Sequence, residues 1–303
     1  MSIISTDLNL LKSLSCFKEI IDVSMLVDGM SHTCFKVTTA SQVYFVKKLN
    51  SETAKEEVVA CRLAGQLGLS PCTIYYDDSW LVTEFIDSIT VDKAEISADE
   101  CIKTGLTLMA KLHQFLPQLI TEDVPYLNTV KSVQRLCTTP NTLTRVQRRV
   151  LALITDRLTF MIEAEQKSSS AVNVLSHGDM NYSNILLDKA KQAWLIDFEC
   201  SHLAPVEFDL SMFIAVNNIP THRINEIVAS YMVLVPNFRP NKTLITYYLL
   251  YSFFINGLWY LDNAKDFEAK NPMRSLAIEQ WSAFDNFARE SLLDLPKLKL
   301  LLI

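Results

Sequence analysis

A chain of 303 residues that is 49% hydrophobic can bury a substantial core and has room for one large or two ordinary domains. Charged residues make up 20% and the formal net charge is −6, which excludes the basic footprint of a nucleic-acid or anionic-membrane binder but leaves room for a compact basic groove around a phosphorylated ligand. The seven cysteines form no CxxC pair and have no histidine at zinc-finger spacing, so they read as reduced thiols in a cytoplasmic protein; the opening MSIISTDLNLLKSL lacks the basic start and continuous apolar run of a signal peptide.

Along the chain, β signals come first. Met25 to Val27 and Cys34 to Val37 flank a turn at DGMSH, and QVYFVKKL (42–49) is rich in β-branched and aromatic residues, so an antiparallel meander is expected. SETAKEEVVACRLAGQLGLSP (51–71) carries helix start and stop signals, with apolar residues at helical spacing. TIYYDD and WLVTEFI read as two further strands. From about residue 97 helical patterns dominate, with ADECIKTGLTLMAKLHQFL first and TRVQRRVLALITDRLTFMIEAEQ after a polar, proline-containing connection. The most apolar stretch, TYYLLYSFFINGLWYL (246–261), is interrupted by Asn256 and Gly257 and falls short of the roughly 20 residues that span a bilayer, so it reads as a buried core helix. The expected architecture is α+β: a β-rich part followed by a mostly helical part, with a ligand cleft between them.

HGDMNYSNILLDKAKQAWLIDFE (177–199) stands out. NILL and AWLI are short apolar runs around a polar turn, hence a hairpin. With a four-residue loop at 189–192, Leu186 faces Leu195 and Asn184 faces Asp197. Directly opposite Cβ atoms lie about 5 Å apart, and magnesium takes oxygen ligands at about 2.1 Å, so one ion could touch both side chains. Asn181 and Ser183 favour a turn that folds Asp179 toward the same end.

HGDMNYSN followed by IDFE resembles the catalytic loop and metal-binding segment of the aminoglycoside phosphotransferase and choline kinase superfamily, which shares the bilobal protein-kinase-like fold. The resemblance implies a nucleotide-binding lobe over 1–87 and a helical lobe over 88–303 with the catalytic loop and acceptor site. It implies ATP and Mg2+ as cofactors, Asp179 as the group that accepts or orients the acceptor hydroxyl proton, and Asn184 and Asp197 as metal ligands. Downstream, SHLAPVEFDLSMFI is similar to the segment where a second aspartate precedes a helix; Asp209 takes that place, in a structural role.

Other expectations follow from the same resemblance. DGMSHTCFKV (28–37) resembles the nucleotide loop, with Gly29 and Ser31 as phosphate contacts. The phosphate-side lysine falls on Lys47, with Lys48 the alternative on the opposite strand face; its glutamate partner falls on Glu57, with Glu56 beside it. Glu84, Phe85 and Ile86 match the linker that contacts adenine. His113, in LMAKLHQF, reads as a packed histidine bonding locally, and His177 as a scaffold residue. Where protein kinases have Asp-Phe-Gly, this chain has Asp197-Phe198-Glu199, which looks more like choline, ethanolamine and thiamine kinases; if that segment stays extended, Asp197 and Glu199 share a face. Such acceptors are cations that aromatic faces and carboxylates suit, and Trp259 with Tyr251 or Glu199 is the candidate pocket. The implied function is transfer of the γ-phosphoryl group of ATP to a hydroxyl of a small cationic metabolite, the alternatives being an aminoglycoside acceptor or a non-catalytic nucleotide-binding scaffold.

Overall fold

The structure, a computed structural model, describes residues 3–26, 33–120, 124–138, 143–264 and 271–301. Gly29 and Ser31 lie outside the described residues. The chain divides into two compact units, one comprising Met1–Thr104, Glu122–Val124 and Tyr182–Ser201, the other Gly105–Thr121, Pro125–Asn181 and His202–Ile303.

The first unit opens with helix α1 (Ile3–Lys12), which the sequence reading did not anticipate. Strands β1 (Ile20–Leu26), β2 (Cys34–Thr39), β3 (Val43–Lys48), β4 (Thr73–Tyr76) and β5 (Trp80–Glu84) form an antiparallel sheet in the order β1-β2-β3-β5-β4, with helix α2 (Ala54–Gln66) between β3 and β4 in sequence. Alternation along β2, β3 and β5 sends Phe35, Val37, Tyr44, Val46, Trp80 and Val82 into one buried cluster with Leu11 of α1. The other face of β3 is thereby left to Phe45 and Lys47. A small sheet joins β6 (Ser88–Thr90), β8 (Ile185–Asp188) and β9 (Ala193–Leu195).

The second unit is mostly helical. Its elements are the greater part of α3 (Ala98–Leu112), then α4 (Thr129–Thr138), α5 (Arg145–Ser168), α6 (Val206–Val216), α7 (Ile224–Leu234), α8 (Lys242–Asp262) and α9 (Pro272–Glu290), with the short pair β7 (Asn173–Ser176) and β10 (His202–Pro205). Local chemistry sets several starts: Ser97 caps α3 in a reciprocal pair with Glu100, Thr144 and Gln147 make a capping box on α5, and Asn241 caps α8. Helix α8 has the length and composition to cross a membrane, yet 67% of its apolar window is buried within the protein, as a core helix requires. At Gly257 a Cβ would come within 2.2 Å of the Trp281 indole, so glycine is what lets α8 and α9 approach this closely.

Candidate active site

In the first unit the two lysines of β3 part company. Lys48 shares the core-facing side of the strand and pairs with Asp7 of α1 at 2.7 Å. Lys47 points the other way, and its Nζ donates to Glu57 Oε1 on α2 and to Asp197 Oδ1, both at 2.6 Å. So the ion pair is made by Lys47 and Glu57, with Asp197 as a second anion on the same ammonium. Burial alone would lower the Lys47 ammonium, but the carboxylates of Asp197 and Glu57 outweigh it and hold it well above the usual lysine value. Glu57 is only 1% exposed; burial pushes its carboxyl up to about 7 against the pull of Lys47, and its Oε2 is buried without a hydrogen-bond partner. Asp197 is the open member, its side chain 31% exposed against 5% for Lys47.

The hairpin carrying Asn184 and Asp197 exists, but its register differs by one residue from the expected one. Ile185 pairs with Leu195, Leu186 with Trp194 and Leu187 with Ala193. The cause is the turn: the Asp188 N–H donates to the Gln192 carbonyl at 3.0 Å, leaving a three-residue loop that closes with Lys191 in the left-handed region at φ 62°. Asn184 therefore faces Ile196, whose N–H donates to the Asn184 carbonyl at 3.0 Å, and does not face Asp197 directly. Asn184 ends a single 3-10 turn, Tyr182–Asn184, at the mouth of the hairpin. Asp197 itself takes φ 65°, a conformation that aspartate tolerates better than most residues, and a turn follows in which the Ser201 N–H donates to the Phe198 carbonyl. The segment is thus not extended at Asp197, so the condition on which Asp197 and Glu199 were expected to share a strand face is not met. Phe198 is buried at 1% exposure, and Glu199 is close enough to Glu57 to help raise its carboxyl.

Of the linker residues, Glu84 ends β5 and donates its N–H to the Cys72 carbonyl, and the Phe85 N–H donates to the Val43 carbonyl at 3.2 Å. The Ile86 carbonyl accepts from the Ser88 hydroxyl at 3.0 Å, and the Lys36 ammonium lies 4.6 Å above the Phe85 ring.

The second unit holds Asp179 on a loop built around Asp209. The His177 and Gly178 N–H groups donate to Asp209 Oδ2 and Oδ1 at 2.9 and 2.8 Å, and the Asp179 N–H donates to His177 Nδ1 at 3.3 Å. Gly178 adopts φ 76°, which is why glycine stands between the histidine and the aspartate. The structural role expected of Asp209 is thus a bond to this loop; its side chain, 1% exposed, is also bonded at 2.9 Å to His113 Nε2, and His113 Nδ1 lies 2.7 Å from the Tyr231 hydroxyl. His113 is packed as expected, but its partners are 96 and 118 residues away rather than local. Burial alone would raise the Asp209 carboxyl, yet the bonds from His113 and the two loop amides outweigh it and hold the group below the usual carboxylate range.

Among the aromatics, Tyr251 is 2% exposed and its hydroxyl donates to the Thr129 carbonyl, so it is a core residue with no face for a solute. Trp259 is half-buried and meets the neighbouring Tyr260 ring edge-on at 5.4 Å. Tyr260, which periodicity could not single out on so apolar a helix, is the informative one: burial first, then the carboxylates of Asp179 and Glu279, raise its hydroxyl. Tyr260, paired with Trp259, thus lies within electrostatic reach of two carboxylates, one of them Asp179.

Among the described residues no group of three or more His, Cys, Asp or Glu side chains forms a metal cage. The carboxylate of Asp197 and the amide oxygen of Asn184 are hard oxygen donors of the kind magnesium takes when substrate phosphates complete its shell, so these residues fit that ion.

A family model described as choline/ethanolamine kinase matches residues 23–271. Comparison with curated protein sequences gave no match. Among solved structures, choline kinase LicA from Streptococcus pneumoniae superposes with a TM-score of 0.72 at 15% identity over 94% of this chain and 99% of that one, and LicA is also described in complex with AMP. An ethanolamine kinase from Plasmodium vivax matches with a TM-score of 0.64 at 16% identity, covering 87% of this chain and 82% of the other. The spectinomycin phosphotransferase APH(9)-Ia, in complex with ADP and spectinomycin, matches with a TM-score of 0.57 at 16% identity over 93% of both chains. With a kinase-like α+β fold and the family match spanning most of its length, the chain belongs to the choline/ethanolamine kinase family and is a small-molecule kinase that transfers phosphate to an alcohol.

Proposed function

We propose that the protein transfers the γ-phosphoryl group of ATP to the hydroxyl of a small cationic alcohol of the choline, ethanolamine or thiamine class. The observation that carries this reading is Lys47 held between Glu57 and Asp197 at 2.6 Å. A buried ammonium kept charged by two carboxylates, one of them still open to solvent, suits an anionic phosphate chain on one side and a metal ligand on the other. Asn184 and Asp197 would hold magnesium, which when bound neutralises phosphate charge. Lys47 then grips the phosphates, Glu57 fixes Lys47, and the linker Glu84–Ile86 lies against the base.

In the second unit Asp179 orients the acceptor hydroxyl and takes its proton as the oxygen bonds to the γ-phosphorus. The bond from that phosphorus to the bridging oxygen of the β-phosphate breaks, and the electron pair leaves with ADP. Tyr260, which feels the carboxylates of Asp179 and Glu279 and carries the Trp259 ring edge-on, favours an acceptor with a positive charge. Relatives crystallised with AMP and ADP support the choice of an adenine nucleotide.

The test is magnesium-dependent ADP release from ATP across choline, ethanolamine, thiamine, aminoglycosides and neutral sugars. Turnover confined to one of the small cationic alcohols is expected. Turnover confined to aminoglycosides would move the acceptor class, and ATP binding without turnover on any acceptor would favour a scaffold.

A further inference from the structure

The buried chain behind the catalytic loop does not end at His113. We propose that Tyr231 of α7 is a positioning residue for Asp179, acting through His113 and Asp209. Its activity arm rests on the kinase reading above; its structural arm does not.

The chemistry of the chain fixes its direction. Asp209 is held ionised, so its two oxygens only accept, and they receive three donors: the His177 and Gly178 amides and His113 Nε2. Nε2 must therefore carry a hydrogen. The remaining ring nitrogen, Nδ1, either accepts from the Tyr231 hydroxyl or donates to it, and in both cases that hydroxyl at 2.7 Å satisfies it. Without the hydroxyl, a ring that is 6% exposed would bury an unsatisfied nitrogen or turn away from Asp209. Tyr231 is fully buried, and its ring is wedged edge-on against Phe238 at 5.2 Å and against the His113 ring at 5.8 Å, so its oxygen has little freedom. The consequence reaches Asp179 because two consecutive peptide planes, pinned on one carboxylate around a left-handed glycine, set the direction in which the next side chain leaves the loop.

The experiment is Tyr231→Phe in the full chain, with turnover, amide exchange and a second background read together. With the preferred acceptor, kcat should fall about tenfold while KM for ATP changes by less than about twofold, as expected when an interaction is lost that serves the reacting geometry and not nucleotide binding. Exchange at the His177 and Gly178 amides should accelerate while amides of α8 keep their protection. In a His113→Gln background, Tyr231→Phe should have no further effect on either readout, because the link it acts through is already cut. Unchanged kcat with unchanged exchange at the two loop amides would overturn the proposal, as would faster exchange spread equally over α8, which would mark a packing role only. Absence of turnover in the unmodified protein would instead count against the kinase reading, and the amide-exchange arm would still decide the role of Tyr231.

Discussion

Asp197 in the first unit and Asp209 in the second each accept a short hydrogen bond from a basic side chain, at 2.6 Å from Lys47 and 2.9 Å from His113, yet they are built for different purposes. Asp209 is sealed, with a side-chain exposure of 1%, and its oxygens are saturated by two backbone amides and an imidazole from elements distant in sequence. Asp197 keeps 31% of its side chain exposed, sits at a strained left-handed position, and shares its ammonium with a glutamate whose second oxygen has no partner. A saturated carboxylate fixes a backbone; an unsaturated network is free to trade partners when a ligand arrives. On the proposed function, the difference separates the residue that holds the loop from those proposed to meet the nucleotide, and it can be broken from either side.

The largest contrast is between two isosteric changes. Asp197→Asn should lower turnover by about a thousandfold or more, because a charge-stabilising group at the reacting phosphates is lost, while moving the thermal midpoint by no more than about 2 °C. Asp209→Asn should cost about 2–4 kcal/mol of stability, since an amide presents N–H groups to donors and leaves buried polar atoms unmatched. Urea unfolding and steady-state assays on both variants check this, and a larger loss of stability from Asp197→Asn would remove the distinction. Next, Gly178→Ala should destabilise by about 1–2 kcal/mol, because its φ of 76° is strained for any residue with a Cβ. A further effect is in the pH dependence. Glu57 is raised from an ordinary 4.5 to about 7, so between those values the folded state binds more protons than the unfolded chain; its stabilising contribution is full below about 4.5 and is lost as the pH rises through about 7. Asp209, being lowered, behaves oppositely: its contribution is present above its ordinary 3.8 and is lost as the pH falls below that. Urea midpoints from pH 4 to 8 should show that Glu57→Gln removes the downward slope between about 4.5 and 7; an unchanged slope would place the titrating group elsewhere.

How far the sequence could be read depended on the range of the interaction. The choice of Lys47 over Lys48 rested on strand alternation, a local period that the tertiary structure kept, whereas Glu57 came from its place in the family resemblance, with Glu56 open beside it. The hairpin register failed for an equally local reason: a single left-handed residue, Lys191, shortens the loop by one, and every facing pair shifts with it. Helix α1 was legible and missed: Ile4, Leu8 and Leu11 recur at helical spacing, and Leu11 lies in the core. The bond from His113 to Asp209 links positions 96 residues apart and has no sequence spacing to announce it. On α8, where nearly every residue is apolar, periodicity could not tell the buried Tyr251 from Tyr260, which feels the Asp179 carboxylate.

The central claim is that Asp179 acts on the acceptor and not on the nucleotide. Replacing it with alanine and measuring ATP affinity by calorimetry alongside turnover of the preferred acceptor tests that claim most directly. The kinase reading predicts an ATP dissociation constant within about threefold of the unmodified protein and a turnover lowered by about two to four orders of magnitude. Retained turnover, or a loss of ATP binding that accounts for the whole effect, would contradict it.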